Sequence, residues 1–139
     1  QRIHDAAKSY RADVVVRLTA DCPLMDGHLI DLAIGEFYES KFDYYSNVMH
    51  RSFPDGLDIE IFTANTLSIC NSDCSDEWSR EHVTPFMRSG TELRIETGHF
   101  CVGHFKASSN YAHLRWTLDT PSDFEFLTEL SKHDILKML

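Results

Sequence analysis

Ala12-Asp13-Val14-Val15-Val16-Arg17-Leu18-Thr19-Ala20-Asp21-Cys22-Pro23 is the stretch on which the fold assignment turns. Three successive β-branched valines predict a short buried strand over 12–19. Pro23 cannot continue a sheet ladder, so Asp21 falls where the strand ends and the chain turns away. Upstream, residues 1–10 read as the tail of a helix. Downstream, Asp26-Gly27 predicts a turn with Asp26 as N-cap, and Ile30, Ala33, Ile34 and Phe37 then share one helical face within 28–40. Strands follow at Asp43–Val48 and Asp58–Phe62, separated by the turn-rich segment Arg51–Gly56. Thr63 caps a helix to about Asn71, and another runs from about Glu77 to Arg88, interrupted at Pro85. Further strands are expected at Leu93–Glu96 and Phe100–Phe105, around Gly98, and at Leu114–Leu118. Thr120-Pro121 opens a last helix to about Met138. Strands and helices interleave, which predicts an α/β fold with a mixed sheet, as a single domain over 1–139. Phe37, Tyr38, Tyr44, Tyr45, Phe124 and Phe126 are expected in its core.

The deciding stretch has an echo. Arg17-Leu18-Thr19-Ala20-Asp21-Cys22-Pro23 and Arg115-Trp116-Thr117-Leu118-Asp119-Thr120-Pro121 both follow R-x-T-x-D-x-P, 98 residues apart. In strands the Arg, Thr and Asp of each copy would share a face. Ligands of open α/β sheets bind outside the carboxyl ends of strands, and two carboxylates delivered there suit Mg²⁺. The plain alternative is that each Asp is a turn or cap residue.

Composition sets the outer limits. The chain of 139 residues carries a net charge of −9, which argues against general nucleic-acid or anionic-membrane binding. No apolar run is long enough for a membrane helix. Four cysteines are too few for a disulfide scaffold, so reduced thiols in the cytoplasm are expected. Cys22 and Cys101 read as small buried apolar residues.

Four segments in order, Arg17–Leu24, Pro54–Glu60, Arg80–Pro85 and Arg115–Pro121, resemble the cytidylyltransferases of the spore-coat polysaccharide biosynthesis protein F type. These are related to the acylneuraminate and ketodeoxyoctonate cytidylyltransferases. The likeness runs from about Ala6 to about Leu130. It implies a Rossmann-like nucleotidyltransferase fold, a three-layer sandwich, and transfer of CMP from CTP to an acidic or modified sugar with release of pyrophosphate. It also implies a role in surface polysaccharide or glycan biosynthesis. By the same resemblance Asp21 and Asp119 are the catalytic ligands of Mg²⁺ (or Mn²⁺). Asn47, Asp55, Asp58, Glu60, Arg80 and His82 would meet the sugar. Asp58 and Glu60 would share a strand face and one target. Arg17 and Arg115 suit either phosphates or neighbouring acids, with Arg17 assigned to the nucleotide.

One family feature is missing. The six glycines (27, 35, 56, 90, 98 and 103) are scattered, and none forms the glycine- and arginine-rich nucleotide loop of that family. Gly98–Phe105 has phosphate-loop spacing but places His104 where Lys is required, and reads as a strand. The expectation is therefore a carboxyl-terminal part of a cytidylyltransferase, holding metal and sugar, with an exposed edge that favours a homo-oligomer. A non-catalytic sugar-binding or oligomerising module of the same fold is the alternative. A zinc site at Cys70-x₃-Cys74 and His99-x₄-His104 is disfavoured, because histidines five apart in a strand face opposite ways.

Overall fold

A computed structural model of the chain describes residues 1–88 and 100–132. The elements run α1 (Arg2–Ser9), β1 (Val14–Arg17), α2 (Gly27–Glu39), β2 (Tyr44–Ser46), β3 (Glu60–Thr63), α3 (Ala64–Asp73), α4 (Glu77–His82), α5 (Pro85–Arg88), β4 (Val102–His104) and α6 (Pro121–Leu130). The four strands form one mixed sheet in the order β1-β3-β2-β4. β3 is antiparallel to β1 and β2, whereas β2 and β4 are parallel.

Alternation along the strands sorts the core into two layers. Val14, Val16, Tyr45, Ile59 and Ile61 face α2, where Ala33 and Phe37 are buried with Ile30 and Ile34 beside them. Val15, Tyr44 and Phe62 point the other way, onto Leu67 and Cys70 of α3, Met87 of α5 and Ile3 and Ala7 of α1. The result is a three-layer α/β sandwich. Burying each large apolar side chain contributes roughly 1.5–3 kcal/mol, so both faces of so short a sheet need this cover.

The caps are as expected. The Asp26 side chain accepts from the backbone of His28, and that of Thr63 from Thr66. Thr120 and Asp123 form a reciprocal capping box with Pro121 in the first turn of α6. α4 and α5 are separated at Val83 and Pro85. Val83 has φ +71°, and its neighbour Thr84 donates its backbone N–H to the His82 carbonyl across a tight, strained turn.

Several expectations are corrected. β1, β2 and β4 are shorter than their sequence patterns, and β3 starts only at Glu60, leaving Asp58 in the preceding loop. Leu114–Leu118 forms no strand. It makes a single parallel bridge, Asp55 to Arg115, and Arg115 is exposed while Thr117 is buried, so the second motif copy does not present one face. Tyr38, Phe124 and Phe126 are exposed, not core, whereas Phe37, Tyr44 and Tyr45 are buried. Cys22 is buried and Cys101 is partly so. The expected strand Leu93–Glu96, Gly98, His99 and the end of the last helix beyond residue 132 lie outside the described residues.

Candidate functional site

The strand registers align Arg17, Glu60, Ser46 and His104 in one row across the sheet. This row marks the carboxyl ends of β1, β2 and β4, the end where ligands bind in open α/β sheets. Every loop discussed below leaves from it.

Backbone hydrogen bonds weld three loops there. The Leu118 N–H donates to the Asp21 carbonyl at 2.9 Å, which sets the two R-x-T-x-D-x-P copies side by side. Asp55 donates its N–H to Leu114 (2.9 Å) and accepts one from Trp116 (2.6 Å), joining the Pro54–Asp58 loop to the second copy. The contact tolerates no side chain between them. A Cβ on Gly56, at φ +109°, would lie 2.6 Å from the Trp116 carbonyl carbon. Leu57, Trp116 and Leu127 bury themselves beneath this junction and anchor α6, whose capping box follows directly on Asp119.

The side chains are heavily paired. The Arg51 guanidinium grips Asp58 through two hydrogen bonds (2.7 and 2.9 Å) and also reaches Asp55 at 2.9 Å. Arg115 forks between Asp119 and Asp123. That arrangement and the amides of Asp119 and Thr120 hold the Asp123 carboxyl well below the usual range. Asp21 is also held below its ordinary value, chiefly by the Thr19 hydroxyl. Both Asp21 and Asp123 are therefore anionic near neutral pH.

Metal fit follows from this donor set. Among the described residues there is no cluster of three or more His, Cys, Asp or Glu side chains arranged for a metal. Asp21 and Asp119 stand on adjoining loops, with the Asp119 carboxylate held by Arg115; a hard cation held there would take its remaining ligands from water and substrate phosphates. Zinc, which wants four protein ligands in a structural site, has no such set there.

A second cluster stands on the α3 side of the same row. Glu60 is only 3% exposed and is gripped by Arg17 and by Arg88, whose Nη2 lies at 2.6 Å. The Tyr44 hydroxyl donates to Glu60 at 2.5 Å, and Arg88 also donates to Thr84 Oγ1 at 2.8 Å. Burial pushes the Glu60 carboxyl up, but Arg88, Tyr44 and Thr84 outweigh it and hold it below normal. Burial and the Glu60 charge together push the Tyr44 phenol far up. Glu60 thus ties Arg17 of β1 to Arg88 of α5 across the edge of the sheet.

The nominated sugar residues are thus split. Asp55 and Asp58 join Asp21 and Asp119 at the welded junction. Asn47 does not offer its amide outward. It is buried, donating to the Leu57 carbonyl (2.6 Å) and accepting from the Ile59 N–H (2.8 Å), so it shapes the loop that carries Asp58. Asp58 and Glu60 do not converge on one target, because Asp58 precedes the strand and pairs with Arg51 whereas Glu60 is buried with Arg17 and Arg88. Arg80 donates to the Cys74 carbonyl at 2.9 Å at the end of α3, and His82 packs against Trp78. Neither joins the junction. Arg51 and Arg88 were missed by the sequence reading. Nothing in their local patterns marks them, since their partners are brought to them by loop and sheet geometry.

The chain is thus a three-layer α/β protein with Asp21 and Asp119 on adjoining loops at the carboxyl ends of its mixed sheet. The family model described as "Cytidylyltransferase" matches residues 1–138, and the chain belongs to that family. It is similar to the structure of a cytidylyltransferase from Leptospira borgpetersenii serovar Hardjo-bovis, with 35% identity and a TM-score of 0.87, covering 96% of this chain and 55% of that one. Among curated proteins it is 33% identical over 134 residues to the "Uncharacterized protein MJ1063" of Methanocaldococcus jannaschii, covering 95% of this chain and 51% of the relative. It is 27% identical over 126 residues to the "Spore coat polysaccharide biosynthesis protein SpsF" of Bacillus subtilis, covering 88% and 49%. The chain therefore spans about half the length of the curated relatives it matches. Among the described residues no helix is long and apolar enough to cross a membrane.

Proposed function

We propose that this chain supplies the metal- and sugar-facing part of an enzyme that transfers CMP from CTP to an acidic or modified sugar. A sugar hydroxyl oxygen bonds to the α-phosphorus of CTP, the bond to the β-phosphate oxygen breaks, pyrophosphate leaves, and the hydroxyl proton passes to solvent. Asp21 and Asp119 are the residues to hold Mg²⁺ or Mn²⁺, which when bound would neutralise phosphate charge. Arg17, pinned by Glu60, is the residue assigned to the nucleotide phosphates. Arg51 fixes Asp55 and Asp58 as acceptors for sugar hydroxyls. Synthesis of a surface polysaccharide in the cytoplasm, by a homo-oligomer, is the setting this reading favours.

The observation that carries the proposal is the bond from the Leu118 N–H to the Asp21 carbonyl, which makes neighbours of the two motif acids. The test is pyrophosphate release by the intact protein with CTP, Mg²⁺ and a panel of sugar acids. Release that depends on both CTP and one sugar is expected. Absence of release across the panel, with the fold intact, would leave the non-catalytic sugar-binding module as the better reading.

A further inference from the structure

A cleft of about 630 Å³ opens beside the welded junction, between the 49–52 and 106–110 segments. Its size is that of a small-ligand pocket. Ser52 clips the two walls together. Its Oγ accepts the Ala107 N–H at 2.8 Å, and its carbonyl accepts the Tyr111 N–H at 2.7 Å. The cleft is therefore built on fixed backbone, and both segments leave the row of strand ends that carries the rest of the site.

The lining chemistry is one-sided. Among the described residues no Asp or Glu contributes, although the chain as a whole carries −9. His50, Arg51, Ser52, Lys106 and Asn110 do. One lone pair of each side-chain oxygen is already used: Ser52 Oγ takes the Ala107 amide, and Asn110 Oδ1 takes the Ala112 amide at 3.0 Å. Both side chains keep donors to offer, the Ser52 hydroxyl proton and the Asn110 amide protons, and the hydroxyls of Ser108 and Ser109 add to them. Lys106 has no carboxylate partner among the described residues and adds a full positive charge. His50 is seated edge-on against His104, with ring centroids 4.2 Å apart. Arg51 forms one wall while its guanidinium holds Asp55 and Asp58, so the cleft is mechanically continuous with the junction.

The geometry points to an oxyanion site in which Lys106, Ser52, Asn110 and His50 receive a substrate carboxylate or phosphate. This inference rests on the reading of the chain as a CMP-transferring enzyme, and it locates what would make an acidic sugar preferred over a neutral one. A cleft lined by cationic and hydrogen-bond-donating side chains, with no carboxylate among the described residues, beside a carboxylate-rich junction separates the acid group of the sugar from the hydroxyls, which acceptors would bind.

The experiment is an NMR titration of the chain at constant ionic strength with glucuronate, glucose, inorganic phosphate and CTP with Mg²⁺. Glucuronate and phosphate should shift the amides of 107–111 and the His50 ring, while glucose should not. Lys106→Ala, at an exposed position, should weaken glucuronate binding about tenfold. If CTP displaces glucuronate, the oxyanion is the nucleotide's; if both bind together, it is the sugar's, and either result upholds the site. Equal shifts from glucose, no shift from any anion, or unchanged affinity in Lys106→Ala would overturn it. No turnover is needed, so failed catalysis with intact anion binding would count only against the proposed function.

Discussion

The Leu118 backbone N–H donates to the carbonyl of Asp21, joining two copies of one motif that lie 98 residues apart in the chain. Around that bond the 55–57 and 114–116 segments close with no room to spare. The position of Asp119 relative to Asp21 is thus set by main-chain contacts and not by the flexible side chains themselves.

Gly56→Ala tests how tight that closure is. The new methyl would sit 2.6 Å from the Trp116 backbone, in a region of φ that favours glycine. A loss of about 2–4 kcal/mol is expected, read as a lower midpoint in urea with an unchanged slope. A variant as stable as the parent would show that the two segments can separate freely.

Glu60 holds two arginines, so Glu60→Gln should cost more than removing either arginine. Taking one partner from a buried pair typically costs about 3–5 kcal/mol, and the partial exposure of Arg17 and Arg88 brings the expectation to the low end. A double-mutant cycle with Arg17→Gln should show strong coupling. Strict additivity would mean the contact contributes nothing.

The acid response should come in two stages. Burial first, then His50 and Lys106, hold His104 below the ordinary histidine value of 6.5, so it folds neutral while the unfolded chain takes up a proton. Its contribution is complete above about pH 6.5 and is lost as pH falls below that. Glu60, held below the ordinary glutamate value of 4.5, contributes above that pH and is lost only on further acidification. Thermal melts from pH 8 to pH 3 should show both declines, with the first one flattened in His104→Asn. Identical profiles for the two proteins would contradict the assignment.

Much of this architecture was legible because local signals agree with the tertiary outcome. The valine run became β1, and Asp26, Thr63 and Thr120 cap the helices they precede. The site was less legible. The alternation of Asp58, Ile59, Glu60 and Ile61 suggests two acids on a wet face, yet α5 covers that face and supplies Arg88, so Glu60 is buried and neutralised. Arg51 pairs with Asp58 across a loop whose shape depends on Asn47, a contact no spacing rule anticipates. Leu114–Leu118 looks like a strand, but the close approach at Gly56 permits only one bridge. Phe124 and Phe126 lie two residues apart on α6, where Leu127 alone is buried.

The most direct test of the central claim is metal binding at the acid pair, measured by Mn²⁺ electron paramagnetic resonance in the presence of CTP, with Mg²⁺ as competitor. Asp21→Asn and Asp119→Asn should each weaken Mn²⁺ binding by about tenfold or more while circular dichroism stays unchanged. If both variants bind Mn²⁺ as tightly as the parent, the two motif acids do not form the metal site.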